Sequence, residues 1–199
     1  MLKIKAVKLR TDPPFTWSSG WRSPIYCDNR LTLSYPEIRQ AIRDAFVAQI
    51  RAMYPQADGI AGVATGAIAQ GMLVAEALGL PFIYIRPAPK GHGMENLVEG
   101  DVSCAASYVV VEDLISTGRS SVQAVQALQA TGVQVLGTVA IFSYGFAEAG
   151  AAFARTGTSY YSLTNLAELL EKAIELAYLQ SHEQQTILDW QQSPATWGV

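Results

Sequence analysis

A chain of 199 residues, half of them hydrophobic and 16% charged, has the material for one packed domain and too little charge for a disordered one. The formal net charge of −3, with no long basic run, disfavours binding to a nucleic-acid backbone, which needs concentrated Lys and Arg. No opening stretch reads as a signal peptide and no apolar run reaches the length of a membrane span. Cys27 and Cys104 lie far apart without metal-ligand spacing, so the expectation is a cytoplasmic protein with free thiols and no membrane partner.

In chain order, residues 35–53 predict a helix. Ile38, Ala41, Ile42, Ala45, Phe46, Ile50 and Met53 recur at helical spacing, and Pro36 stands where a first-turn proline is tolerated. A short buried strand follows over 59–63, then an Ala-rich helix over 67–78 stopped by Gly79 and Pro81. Residues 82–85 predict a strand. Residues 86–100 have no periodicity and carry Pro87, Pro89, Gly91 and Gly93, which predicts a long loop. The uniformly apolar run 108–111 suits a parallel strand covered on both faces. A helix over 120–131, a strand over 135–142, helices over 147–155 and 165–179 flanking a short strand over 159–161, and a helix with a tail from 181 complete the reading. Strands alternating with helices imply an α/β fold on an open parallel sheet with right-handed crossovers. The chain reads as a single domain over 1–199, with an N-terminal region over 1–35, an α/β core over 36–180 and a C-terminal helix and tail over 181–199.

Ligands of such sheets bind beyond the carboxyl ends of the strands. Behind the strand 108–111 stand Glu112, Asp113, Leu114, Ile115, Ser116, Thr117, Gly118, Arg119, Ser120 and Ser121, and then a helix. A helix N-terminus offers unpaired N–H groups and a positive dipole end to a phosphate. Gly118 lets the backbone curl, and Thr117, Ser120 and Ser121 add hydroxyl donors. Glu112 and Asp113 can accept hydrogen bonds from vicinal hydroxyls. A ribose 5-phosphate presents both needs. The string is neither a Walker A loop nor a Gly-x-Gly-x-x-Gly motif.

Residues 109–121, Val-Val-Val-Glu-Asp-Leu-Ile-Ser-Thr-Gly-Arg-Ser-Ser, resemble the phosphoribosyl pyrophosphate signature of type I phosphoribosyltransferases. The resemblance implies that Glu112 and Asp113 hold the ribose hydroxyls and that residues 117–121 hold the 5-phosphate. Two further segments resemble orotate phosphoribosyltransferases in particular. Phe15-Thr-Trp-Ser-Ser-Gly-Trp-Arg-Ser-Pro-Ile-Tyr-Cys-Asp-Asn-Arg30 is similar to the hood that lies over the base in that family. Within it Ser19-Gly20 and Ser23-Pro24 form a tight polar turn, Tyr26 can stack on a flat ring, and Arg22 and Arg30 can reach an anion. The loop with Arg86, Lys90 and His92 resembles the family's catalytic loop, whose cations would meet pyrophosphate, in part across a homodimer with shared active sites. The segment Gly62-Val-Ala-Thr65-Gly66 resembles its pyrophosphate-binding loop.

The expected reaction joins phosphoribosyl pyrophosphate and orotate, with Mg²⁺ as cofactor and no direct protein ligand for the metal. Lys90, His92 and Asp113 are the expected catalytic residues. Orotate is expected against Ser19, Gly20, Ser23, Tyr26, Ser116 and Tyr144. Two positions depart from the family pattern: Pro87 follows the loop arginine where a second basic residue is common, and Tyr144 stands where many members carry an arginine for the substrate carboxylate. Two alternatives remain open: a phosphoribosyltransferase for another base, and a regulator that binds phosphoribosyl pyrophosphate without turning it over.

Overall fold

The computed structural model describes residues 1–17, 19–87 and 97–198. The N-terminal region forms two small antiparallel ladders. β1 (Val7–Leu9) pairs with β4 (Ile25–Cys27), and β2 (Phe15–Thr16) pairs with β3 (Arg22–Ser23). A 3₁₀ turn over Asn29–Ser34 leads into α1 (Pro36–Met53), with Pro36 at its first turn. The core then alternates β5 (Gly59–Val63), α2 (Ile68–Leu78), β6 (Phe82–Ile85), β7 (Val98–Glu99), β8 (Ser107–Ile115), α3 (Arg119–Gln129), β9 (Gln134–Ser143), α4 (Ala147–Ala154), β10 (Tyr160–Asn165) and α5 (Leu166–Glu175). A last helix, α6, spans Ser181–Gln192. Among the described residues no helix is long and apolar enough to cross a membrane.

The central sheet has the order β10-β9-β8-β5-β6-β7 and is parallel except at β7. β8 lies between β5 and β9 with both faces covered, which explains its unbroken valines. Val109 and Val111 pack with Phe46, Ile50 and Val74 of α1 and α2. Val110 turns the other way, onto Val125, Leu128 and Phe153 of α3 and α4. On α3 the buried positions Ser121, Ala124, Val125 and Leu128 recur at helical spacing, so the helix presents one stripe to the sheet.

A third cluster joins the two ends of the chain. Ile25, Phe142, Tyr144, Phe146, Leu170, Ile187 and Trp190 pack together there, with Trp17 and Trp21 against them. Trp190 of α6 donates its indole N–H to the Arg22 carbonyl at 3.1 Å and stands edge-on to Trp17 at 5.6 Å. Thr11 donates to Glu183 at 2.9 Å, and Gln191 donates to the Tyr144 carbonyl at 2.6 Å. The C-terminal helix thus clamps the N-terminal ladders onto the end of β9.

The structure corrects three boundaries. β8 runs four residues beyond the expected strand, because Glu112, Leu114 and Ile115 keep their partners Ala140, Phe142 and Ser143 on β9. The carboxylates therefore sit on the strand. The expected loop 86–100 ends in β7, with Val98 opposite Ile85. The last sheet strand reaches Asn165, whose side chain then caps α5 by accepting from the Glu168 N–H, and the chain reverses at Ala177, in the left-handed region at φ 58°.

Candidate active site

Three segments meet at the carboxyl end of β8. The first is the acidic pair. Glu112 is almost wholly buried, and both its oxygens are engaged: Oε1 accepts from the Asp113 N–H at 3.0 Å and Oε2 from the Ser121 hydroxyl at 2.8 Å. Burial, followed by the charge of neighbouring Asp113, pushes the Glu112 carboxyl well above the ordinary range, while the Ser121 bond opposes that shift. Asp113 is raised in the same direction, again mainly by burial, against the pull of hydrogen bonds and of Arg30.

The second segment is the turn after β5. Gly66 packs directly against the Asp113 carboxylate, and any Cβ at that position would collide with it. Thr65 is exposed beside it, and the Ala64–Thr65 peptide is cis. The third is the start of α3. Gly118 holds the cap in the left-handed region at φ 77°, a conformation that glycine adopts at least cost, and so opens the first-turn amides toward solvent.

A cavity of about 770 Å³ lies beside this junction. Its walls come from the N-terminal ladders (Thr16, Trp17, Ser19, Trp21, Tyr26, Cys27), from the strand end and loop (Leu114, Ser116, Thr117, Arg119) and from Tyr144. A smaller cavity of about 410 Å³ is lined by Ala64, Arg86, Pro87 and Ser120, among others. The loop after β8 serves both, with Ser116, Thr117 and Arg119 on one side and Ser120 on the other. The larger space has aromatic walls in Trp17, Trp21, Tyr26 and Tyr144 and a polar side in Thr16, Ser19, Ser116, Thr117 and Arg119, a mixture that suits a small planar ligand with polar edges. Arg86 forms an ion pair with Glu99 at 3.3 Å.

Not every expected residue faces these spaces. Ser23 is fully buried, its hydroxyl donating to the Ile25 carbonyl at 2.8 Å and accepting from the Ile25 N–H at 3.1 Å, so it braces the turn. Gly20 is exposed in that turn at φ 87°, outside the cavity lining. Ile115 turns its side chain into the core, and its carbonyl accepts from the Tyr144 N–H. Ser121 gives its hydroxyl to Glu112, which takes it away from a phosphate. Tyr144 reaches the cavity only as its floor: it is 1% exposed and stacked on Phe146, and burial raises its phenol well above the ordinary value. Lys90 and His92 lie outside the described residues.

Trp17 and Trp21 were missed by sequence reasoning. They flank the polar turn and wall the cavity, with the Trp17 indole donating to the Ile25 carbonyl at 3.0 Å. Two tryptophans four positions apart around a Ser-Gly turn were the available signal.

The decisive comparison is with the orotate phosphoribosyltransferase of Cytophaga hutchinsonii, which is 51% identical over 197 residues, 99% of this chain and 94% of that protein. The chain belongs to the orotate phosphoribosyltransferase family. The crystal structure of the Aeropyrum pernix orotate phosphoribosyltransferase superposes with a TM-score of 0.76 at 32% identity, over 86% of this chain and 94% of that one. The Mycobacterium tuberculosis orotate phosphoribosyltransferase in complex with phosphoribosyl pyrophosphate gives 0.64 at 25% identity, over 84% and 94%. No family model matches the chain. The orotate phosphoribosyltransferase fold is thus the mostly parallel sheet with flanking helices described above.

Proposed function

We propose that the larger cavity receives orotate and that the loop after β8 receives the 5-phosphate of phosphoribosyl pyrophosphate. On this reading the chain transfers the phosphoribosyl group to orotate, giving orotidine 5′-monophosphate and pyrophosphate. The observation that carries the reading is the shared loop. One stretch, 116–120, borders both an aromatic-walled space fit for a pyrimidine and the open N-terminus of α3, with the acidic pair directly before it.

Each part has a task. Tyr26, Trp17 and Trp21 give the flat ring its stacking surfaces, and Ser19 and Ser116 give it hydroxyl partners. Asp113 and Glu112 accept hydrogen bonds from the ribose hydroxyls. Glu112 keeps that capacity because each carboxylate oxygen carries a second lone pair. The first-turn amides of α3, with Thr117 and Ser120, hold the 5-phosphate. A ring nitrogen of orotate then displaces pyrophosphate at C1 of the ribose. Because positive charge develops on the sugar and negative charge on the leaving group, fixed cations and alignment supply most of the acceleration. Arg86 lines the smaller cavity beside the Ala64 turn, where pyrophosphate would depart. Lys90 and His92 follow it in sequence, and on the family resemblance they complete the cationic set, reaching the neighbouring subunit of a homodimer.

Among the described residues no three acidic, His or Cys side chains converge as a metal cage. On the family resemblance Mg²⁺ would be carried on phosphate oxygens and water, and bound there it would neutralise charge on the leaving group. Free thiols at Cys27 and Cys104 accord with a cytoplasmic setting.

The test is to mix the protein with Mg²⁺, phosphoribosyl pyrophosphate and orotate and to follow the loss of orotate absorbance. Turnover of orotate with little turnover of uracil is expected. Equal turnover of the two would reject orotate as the substrate.

A further inference from the structure

Orotate carries a carboxylate, and moving that charge from water into an aromatic-walled cavity is costly unless a cation meets it. Tyr144 cannot do so, since it is a buried neutral phenol. None of the three arginines of the hood lines this cavity. The Arg10 guanidinium lies 4.4 Å over the Phe15 ring. The stem of Arg22 runs against Gly198. Arg30 is held by Asp28 through two bonds, of 2.7 and 2.9 Å.

Arg119 differs from all three. It is exposed, it lines the same cavity as Tyr26 and Ser116, and it is the one cationic residue among the described lining residues. Among the described residues no carboxylate pairs with it. It is also the first residue of α3, so the positive end of that helix adds to its own charge at the same wall.

We propose that the Arg119 guanidinium receives the carboxylate of orotate and is the residue by which this protein selects an acidic pyrimidine. The inference rests on the larger cavity being the base site. It divides Arg119 between two substrates: the main-chain amide serves the 5-phosphate and the side chain serves the base. A planar fork suits a carboxylate, and a phosphate already surrounded by helix amides and hydroxyls gains less from it.

The test is steady-state kinetics of Arg119→Gln, an exposed position where folding is not at stake. The KM for orotate should rise roughly 10- to 100-fold, with kcat and the KM for phosphoribosyl pyrophosphate within about threefold of the parent. Arg119→Lys should recover part of the loss, and turnover of uracil, which has no carboxylate, should not fall. Lys8→Ala, at the cross-strand neighbour of Tyr26, should leave the orotate KM unchanged. A raised KM for phosphoribosyl pyrophosphate with an unchanged orotate KM would assign Arg119 to the phosphate and overturn the proposal, as would a Lys8→Ala variant that took the orotate penalty instead. Tyr26→Ala separates the two levels: an unchanged orotate KM there would remove the cavity itself as the base site, whereas failure at Arg119 alone leaves it standing.

Discussion

The side-chain amide of Asn29 donates to the main-chain carbonyl of Asp113 at 2.5 Å, joining positions 84 apart in sequence. Asn29 is buried, and its own carbonyl accepts from the Cys27 thiol at 3.3 Å. One bond thus ties the hood that walls the larger cavity to the strand end that carries the acidic pair. Asn29→Ala would leave the Asp113 carbonyl without this partner, at a cost of about 1–3 kcal/mol. The melting temperature should fall by about 2–4 °C for each kcal/mol lost. The KM should rise for both substrates, because both surfaces lose their common brace. Wild-type values for all three would show that the bond is dispensable.

Ser121 holds Glu112 from below. Ser121→Ala removes the bond at Oε2, freeing the carboxylate to rotate and to take up a proton more readily. Binding of phosphoribosyl pyrophosphate, measured by calorimetry, should weaken by roughly tenfold at neutral pH, while orotate binding stays near the parent value. Binding should also lose strength at a higher pH than in the parent when the solution is acidified. A purely structural serine would lower the melting temperature without moving that pH profile.

Glu112 should oppose stability at neutral pH. Its carboxyl is raised in the folded protein, so the native state holds the proton more tightly than the unfolded chain. Stability therefore falls as pH rises from the ordinary glutamate value of 4.5 through the folded value. Glu112→Gln keeps an oxygen to accept from the Asp113 N–H, can donate its amide to the Ser121 hydroxyl, and removes the charge. It should melt higher than the parent at pH 8, by about 2–4 °C per kcal/mol relieved, and the gap should close below the ordinary glutamate range. The same variant should bind phosphoribosyl pyrophosphate poorly. A lower melting temperature at pH 8 would contradict the sign.

Lys90 can be tested without reference to its placement. Lys90→Ala should lower kcat about 100- to 1,000-fold, with a much smaller change in substrate affinity, if its ammonium meets charge that develops at the transition state. Mixing inactive Lys90→Ala with inactive Asp113→Asn should restore activity after subunit exchange, because some mixed dimers would hold one complete site. No recovery would reject the shared site, and a fully active Lys90→Ala would reject the catalytic role.

The core was legible because its periodicities were unambiguous. The apolar run of β8 and the helical spacing of α1 each admitted one secondary structure, and the alternation of strands and helices then left one sheet class. The polar loop after β8 was legible for a different reason, since few folds need two acids, hydroxyls and a glycine in that order. The extension of β8 was not legible. Glu112 and Asp113 look like a strand end, and only pairing with β9 keeps them in the ladder. The roles of Ser23 and Ser121 were hidden as well. A serine beside a ligand and a serine bracing a turn have the same local sequence, and the partner decides: Ile25 for one and Glu112 for the other. Contacts of long sequence separation leave no periodic trace, and Trp190 against Arg22, 168 positions away, is the extreme case.

That last contact orders events during synthesis. The ribosome releases the hood first and β9 much later, and the helix that clamps the hood onto the end of β9 emerges after both. The sheet can form, and Trp17 can reach Tyr144, while the edge of Trp17 still lacks its later partner Trp190. A nascent chain stalled short of Trp190 would own the loop after β8 and lack a finished wall to the larger cavity. The Trp190 clamp over Trp17 is thus the last of the hood's contacts to become available.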